Sequence, residues 1–134
     1  MLVLDNNLLS DYLDGKESAK TFLRDHEAEP WAVSGIVLYE AYMGSVHGYI
    51  DGDVETIRDA VTTSMDVLAV TGETASVAAD IQDRLLERGA PADHPDTLIA
   101  ASAVEHGGTF ATAEKQFWKS DVRDVLDIAE YDPY

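Results

Sequence analysis

Short apolar runs alternate along this chain with longer stretches in which apolar residues recur every three or four positions. The runs are "MLVLD" at 1–5, "WAVS" at 31–34, "DVLAV" at 66–70, "TFAT" at 109–112 and "VLDIAEY" at 125–131, and each reads as a strand. Between them, "NLLSDYL" predicts a short helix closed by Gly15, and "KESAKTFLRDHE" a second with Ala19, Phe22 and Leu23 at helical spacing. "GIVLYEAYMGSVHGYI" is apolar on nearly every side and too long for a strand, which predicts a buried helix. "DVETIRDAVTTS" is an ordinary amphipathic helix, and "ETASVAADIQDRLLERG" carries Val77, Ile81 and Leu85 on one stripe. "DHPDTLIAASA" opens a helix stopped by Gly107 and Gly108, and "AEKQFW" reads as a helical turn. Strands alternating with helices predict one α/β domain over 1–134 with a mainly parallel sheet, and in such sheets ligands gather beyond the carboxyl ends of the strands.

Composition narrows the partners. The chain has 134 residues, 46% of them hydrophobic, and no cysteine, so disulfides and thiol-rich metal sites are excluded. No apolar run reaches the roughly 20 residues of a bilayer span, and no basic-then-apolar leader opens the sequence. These features predict a cytoplasmic protein without a membrane contact. Acids outnumber bases 26 to 9, a formal net charge of −17 spread along the chain, and this balance suggests adaptation to concentrated salt. Such a charge repels nucleic acid unless a local feature overrides it.

Four carboxylates occupy positions where a parallel sheet gathers ligands. Asp5 ends the first run, Glu40 lies one to two turns into the helix after the second, Asp96 falls in the first turn of its helix, and Glu114 follows the fourth run. Each has a local role open to it: Asp5 caps the next helix, Asp96 bonds back to Asp93 as capping residue, Glu114 complements a helix dipole behind a Thr112 cap, and the head of Glu40 reaches solvent or an arginine. Together they project toward one sheet edge with no closely interleaved Lys or Arg, a set that calls for a divalent cation, Mg²⁺ or Mn²⁺. Ala100 and Ala103 let the Asp96 helix approach its neighbours closely.

At these residues the sequence resembles the PIN-domain family, and within it the VapC-type toxins of toxin–antitoxin pairs. "VLDNNLLSDYL", "SGIVLYEAYMG", "PDTLIAASAVEHG" and "FATAEKQF" resemble the family's four motifs in order across essentially the whole chain. The resemblance implies a three-layer α/β/α sandwich whose central sheet, mainly parallel, has four to five strands. It implies Asp5, Glu40 and Asp96 as metal ligands, Glu114 as the fourth acid, Thr112 as the hydroxyl beside it, a homodimer, and a cognate antitoxin laying a peptide across the acidic groove. Asn6 stands where the family has Thr or Ser, Glu114 replaces an Asp, and Gln116 fills a place often held by another Asp, so a second metal is less secure; Asp93 is an alternative contributor. The reading is a Mg²⁺- or Mn²⁺-dependent endoribonuclease acting on RNA without a nucleophilic side chain. The scattered His26, His47, His94 and His106 make a histidine acid–base pair improbable. Lys16, Lys20, Arg24, Lys115 and Lys119 are candidate rim cations, and Tyr12, Phe117 and Trp118 candidate stacking residues, with a core role favoured for Phe117. The alternatives are a non-catalytic module binding RNA or protein, and an aspartate-based phosphohydrolase or receiver-like domain using Asp5 and Lys115.

Overall fold

The first apolar run becomes the middle of the sheet. A computed structural model describes residues 1–134, in which β1 (Leu2–Leu4) is followed by α1 (Asn6–Leu13), α2 (Glu17–Asp25), β2 (Trp31–Ser34), α3 (Gly35–Val46), α4 (Val54–Ser64) and β3 (Asp66–Leu68). Then come α5 (Gly72–Glu87), α6 (His94–Glu105), β4 (Thr109–Thr112), a 3₁₀ turn at Lys115–Trp118, α7 (Ser120–Arg123) and β5 (Ile128–Glu130). All five strands are parallel, in the order β3-β2-β1-β4-β5. Every residue of β1 is buried, as an all-apolar strand covered on both faces must be. Its register runs Leu2 to Trp31 on one side and Leu2 to Thr109 on the other, and the Asp5 N–H extends the ladder by donating to the Ala111 carbonyl at 2.9 Å.

Right-handed crossovers place α1–α4 on one face of such a sheet and α5–α7 on the other. The packing follows this division: α1 meets α2 and α3, α3 meets α4, and α5 lies along α6. The buried Ala100, Ala101, Ser102 and Ala103 give α6 the narrow profile that lets it press on α5, β1 and β4. Tyr131 anchors the far edge; its buried hydroxyl donates to Asp11 at 2.7 Å and meets Ser18 at 3.0 Å, and burial pushes it up to about 12.

Two expectations need correction. The segment expected as a wholly buried helix is α3, where only Val37 and Ala41 are fully buried and Tyr39 is 60% exposed. It lies on the sheet between α1 and α4 and also touches α6, while Tyr39 and Val46 on its outward face stay exposed. The short α7 has no counterpart in the sequence reading, since four residues are too few for a periodicity.

Gly108 precedes β4 where the backbones of β1 and β4 first meet. A Cβ there would stand 2.7 Å from the Met1 carbonyl oxygen, which also accepts from Thr109 N–H at 2.9 Å. Gly108→Ala is therefore expected to cost about 1–3 kcal/mol as an overpacking change. Urea unfolding checks it; an unchanged midpoint would mean that the strand start yields freely.

Candidate active site

Successive connections leave β1 and β4 in opposite directions, which opens a crevice at their carboxyl ends. Asp5 leaves β1 directly into it. Its Oδ1 accepts from Leu8 N–H at 2.8 Å, capping α1, while Oδ2 accepts from Thr112 Oγ1 and Ala113 N–H, both at 2.8 Å. Burial raises the carboxyl above its ordinary range and nearby Glu114 adds to this, whereas the three hydrogen bonds pull it back; burial wins. Asp5 therefore caps its helix and enters the crevice at once.

Thr112 ends β4, fully buried, and its hydroxyl both donates to Asp5 and accepts the Glu114 N–H at 3.0 Å. The expected cap geometry thus takes a different form. Glu114 itself holds the capping position of the 3₁₀ turn, without a side-chain cap bond, and its Oε1 accepts from Asn7 Nδ2 at 3.3 Å.

Glu40 is delivered by α3, whose start is capped by Ser34 Oγ accepting from Val37 N–H at 3.2 Å. The side chain is half-buried, and its Oε1 is buried with no hydrogen-bond partner. Burial raises its carboxyl, and Asp96 and Asp5 push it further. Asp96 stands in the first turn of α6, raised by burial and then by Glu114, Asp93 and Asp5.

The capping roles expected around Asp96 are not realised. Asp93 occupies the capping position but makes no side-chain cap bond; its carbonyl instead accepts from Thr97 Oγ1 at 2.7 Å. Asp96 makes no bond back to Asp93 and accepts only a long bond from Gln116 Nε2 at 3.4 Å.

Asp5, Glu40, Asp96, Thr112 and Glu114 line one narrow cleft of about 80 Å³. Ile99 and Phe110 supply its apolar part, and no Lys or Arg lines it. Asn6 also faces the cleft with a buried, unpartnered Oδ1. The side chains stand apart rather than closing into a finished ligand cage, as no three of the acids and histidines converge on one point. In chemistry they suit a hard divalent cation: every donor is oxygen, four are carboxylates, three of which (Asp5, Glu40 and Asp96) are raised by burial and acidic neighbours, and two buried oxygens lack partners.

Other candidates lie elsewhere. His94 and Asp93 are exposed and outside the cleft. Lys16 and Lys115 line an adjoining cleft of about 280 Å³ that shares Asn7 with the site, while Lys20 pairs with Glu17 at 3.8 Å and Lys119 lines a separate cleft beside Gln116. Lys115 thus does not reach into the Asp5 cleft as a receiver-like domain would require. Phe117 is core, edge-on to Phe110 at 5.5 Å; Tyr12 packs on Trp31; Trp118 Nε1 donates to the Thr112 carbonyl at 2.9 Å. Asn7 and its bond to Glu114 were missed in the sequence, where an amide two residues past Asp5 carries no distinguishing signal.

A family model described as PIN domain matches residues 2–121. No curated protein matches the sequence. Among solved structures, the fold is similar to VapBC2 from Rickettsia felis bound to a DNA fragment from their promoter, with TM-score 0.77 and 18% identity over 98% of both chains. It is also similar to a toxin–antitoxin complex from Klebsiella pneumoniae, with TM-score 0.73 and 22% identity over 100% of this chain and 98% of that one. A third similarity is to VapBC-1 from nontypeable Haemophilus influenzae, with TM-score 0.72 and 20% identity over 97% of each.

Proposed function

The chain belongs to the PIN-domain family, and from that premise we propose that it is a metal-dependent endoribonuclease of the VapC toxin type. The observation that carries the reading is that four carboxylates, without a basic residue, line one crevice between β1 and β4. Asp5, Glu40, Asp96 and Glu114 would hold Mg²⁺ or Mn²⁺. When bound, such an ion lowers the pKa of a water and stabilises charge on a phosphate, which suits hydrolysis of an RNA phosphodiester.

The chain's own residues do the rest. Leu8 and Ala113 N–H and the Thr112 hydroxyl hold Asp5 in one orientation and favour its ionised form. Asn7 steadies Glu114 and Gln116 steadies Asp96. Glu40 keeps an oxygen free of protein partners. Lys16 and Lys115, in the adjoining cleft with Asp11 and Asp132, would meet the phosphate backbone of the substrate.

The Lys16→Gln, Lys115→Gln double variant is expected to bind single-stranded RNA more weakly and to flatten the plot of log affinity against log salt by about 0.7 per lost phosphate contact. An unchanged slope would remove both lysines from the substrate path.

The purified chain incubated with single-stranded RNA and Mg²⁺ or Mn²⁺, with a chelator control, tests the activity. Metal-dependent fragments support it. RNA that is bound but stays intact would make the chain a non-catalytic binding module. The remaining partners belong to the same reading. A cognate antitoxin would place a basic side chain against Glu40 and Asp96. The apolar cleft between α5 and α6, beside exposed Leu86, supports a homodimer that sedimentation would detect.

A further inference from the structure

Beyond α3 the chain forms a pinned loop. Tyr49 and Ile50 N–H both donate to the Gly44 carbonyl, at 2.8 and 3.2 Å, and Ser45 Oγ donates to the Gly52 carbonyl at 2.6 Å. The loop lies so close to the helix that a Cβ at Gly44 would come within 2.7 Å of the buried Ile50 side chain. Gly48 turns the chain at φ +79°, a conformation that favours glycine. These contacts fix the Tyr49 backbone and leave its side chain 82% exposed, with the ring 5.9 Å from that of His47 and tilted only 30° from it. A Tyr so exposed yet so anchored buries nothing for the fold.

The loop closes one side of a cleft of about 420 Å³ whose other walls come from Tyr39 and Met43 of α3, Ser10 of α1 and Asp14 just beyond its end. Asn6 and Glu40 line both this cleft and the carboxylate cleft, so the two are contiguous. Its chemistry is one-sided: it has two carboxylates, Asp14 and Glu40, and no Lys or Arg. Lys16, close by in sequence, pairs with Asp11 at 3.8 Å instead. An anionic phosphate is disfavoured by such walls, whereas the cleft that shares Asn7 with the carboxylates offers it Lys16 and Lys115 beside Asp11 and Asp132. A neutral ring offering N–H groups along its edge suits the aromatic and acceptor-rich side.

We propose that this cleft is a base-binding subsite, in which Tyr49, with Tyr39, stacks an RNA base adjoining the reacting phosphate and the Asp14 carboxylate reads its edge. The inference rests on the ribonuclease reading for the identity of the ligand. Guanine is the base selected, because its N1–H and N2–H₂ lie side by side and meet a carboxylate as a pair, whereas uracil offers one N–H between two carbonyls that Asp14 repels. Stacking also survives salt better than phosphate contacts do, which suits a chain with so few cations.

The test uses fluorescence anisotropy of the metal-free chain with two labelled hexaribonucleotides, all-uridine and the same with one guanosine. The native chain is expected to prefer the guanosine oligomer by about tenfold, Tyr49→Ala to bind both about tenfold more weakly, as loss of one stacked base does, and Asp14→Asn to lose only the preference. Both positions are exposed, and circular dichroism verifies the fold. Native affinity in Tyr49→Ala, or a retained guanosine preference in Asp14→Asn, would overturn the subsite. So would loss of binding to an arginine-containing peptide with RNA binding unchanged, which would assign the cleft to a protein partner. Cleavage by the native chain is scored separately. Guanosine preference without metal-dependent cleavage keeps the subsite and removes the nuclease; cleavage indifferent to guanosine does the reverse.

Discussion

Asp96→Asn is expected to lower metal-dependent RNA cleavage by about a hundredfold or more, since loss of even outer partners of a metal site costs 10- to 100-fold, and yet to melt higher than the native chain when no metal is present. Both effects come from the same geometry. Asp96 is half-buried among acids and raised by its burial and by Glu114, Asp93 and Asp5, while its one hydrogen bond is long and an amide oxygen can accept it equally well. The pH dependence follows in sign. Asp5, Glu40 and Asp96 are all raised above the ordinary 3.8 for Asp and 4.5 for Glu. A carboxyl raised on folding binds its proton more tightly in the native state, so its contribution favours folding at low pH and is lost as pH climbs from the ordinary value through the raised one. Asn at 96 lacks one such loss. The melting gap between variant and native chain should therefore be small near the ordinary carboxylate range and widen toward neutrality. Saturating Mn²⁺ should reverse the order, because only the native site gains binding energy. A variant that melts lower at neutral pH without metal would mark Asp96 as a structural residue.

Thr112→Val is expected to cost about 1.5–3 kcal/mol, the range for hydrogen bonds to charged groups. The valine matches threonine in shape, so the loss is chemical: the buried Asp5 carboxylate loses a donor at 2.8 Å and the Glu114 N–H loses its acceptor at 3.0 Å. Because the Thr112 bond pulls Asp5 down, its removal raises that carboxyl further, and the acid limb of the cleavage–pH profile should move to higher pH. Thr112→Ser keeps the hydroxyl and should recover both stability and profile. If urea unfolding and the pH profile place the valine and serine variants together, the hydroxyl has no such role.

What the sequence disclosed depends on how local each cause is. The strands of a parallel sheet are covered on both faces, so "MLVLD" and "TFAT" stand out as unbroken apolar runs, and the acids that follow them inherit their positions from the topology. Glu40 was legible because a carboxylate amid apolar neighbours needs a reason. The errors arose where tertiary context decides. The apolar periphery of α3 looks the same in sequence whether a neighbour covers it or not. The cap expected from Asp93 is not made, because its side chain is exposed and accepts no N–H of the first turn. Tyr49 carried no signal at all: its orientation depends on a glycine carbonyl and an isoleucine side chain in three dimensions.

The central place of β1 also sets a schedule for synthesis. The strand made first pairs on one side with β2 but on the other with β4, and the Asp5–Thr112 hydrogen bond joins residues 107 positions apart. Contacts of such separation form late, and a chain emerging at about 5–20 residues per second spends several seconds before both partners exist. Throughout that interval Asp5 lacks Thr112 and Ala113 and the cleft lacks Glu114, and for most of it Asp96 is missing too. The crevice is thus assembled only when β4 joins β1, long after β1 and β2 are free to pair.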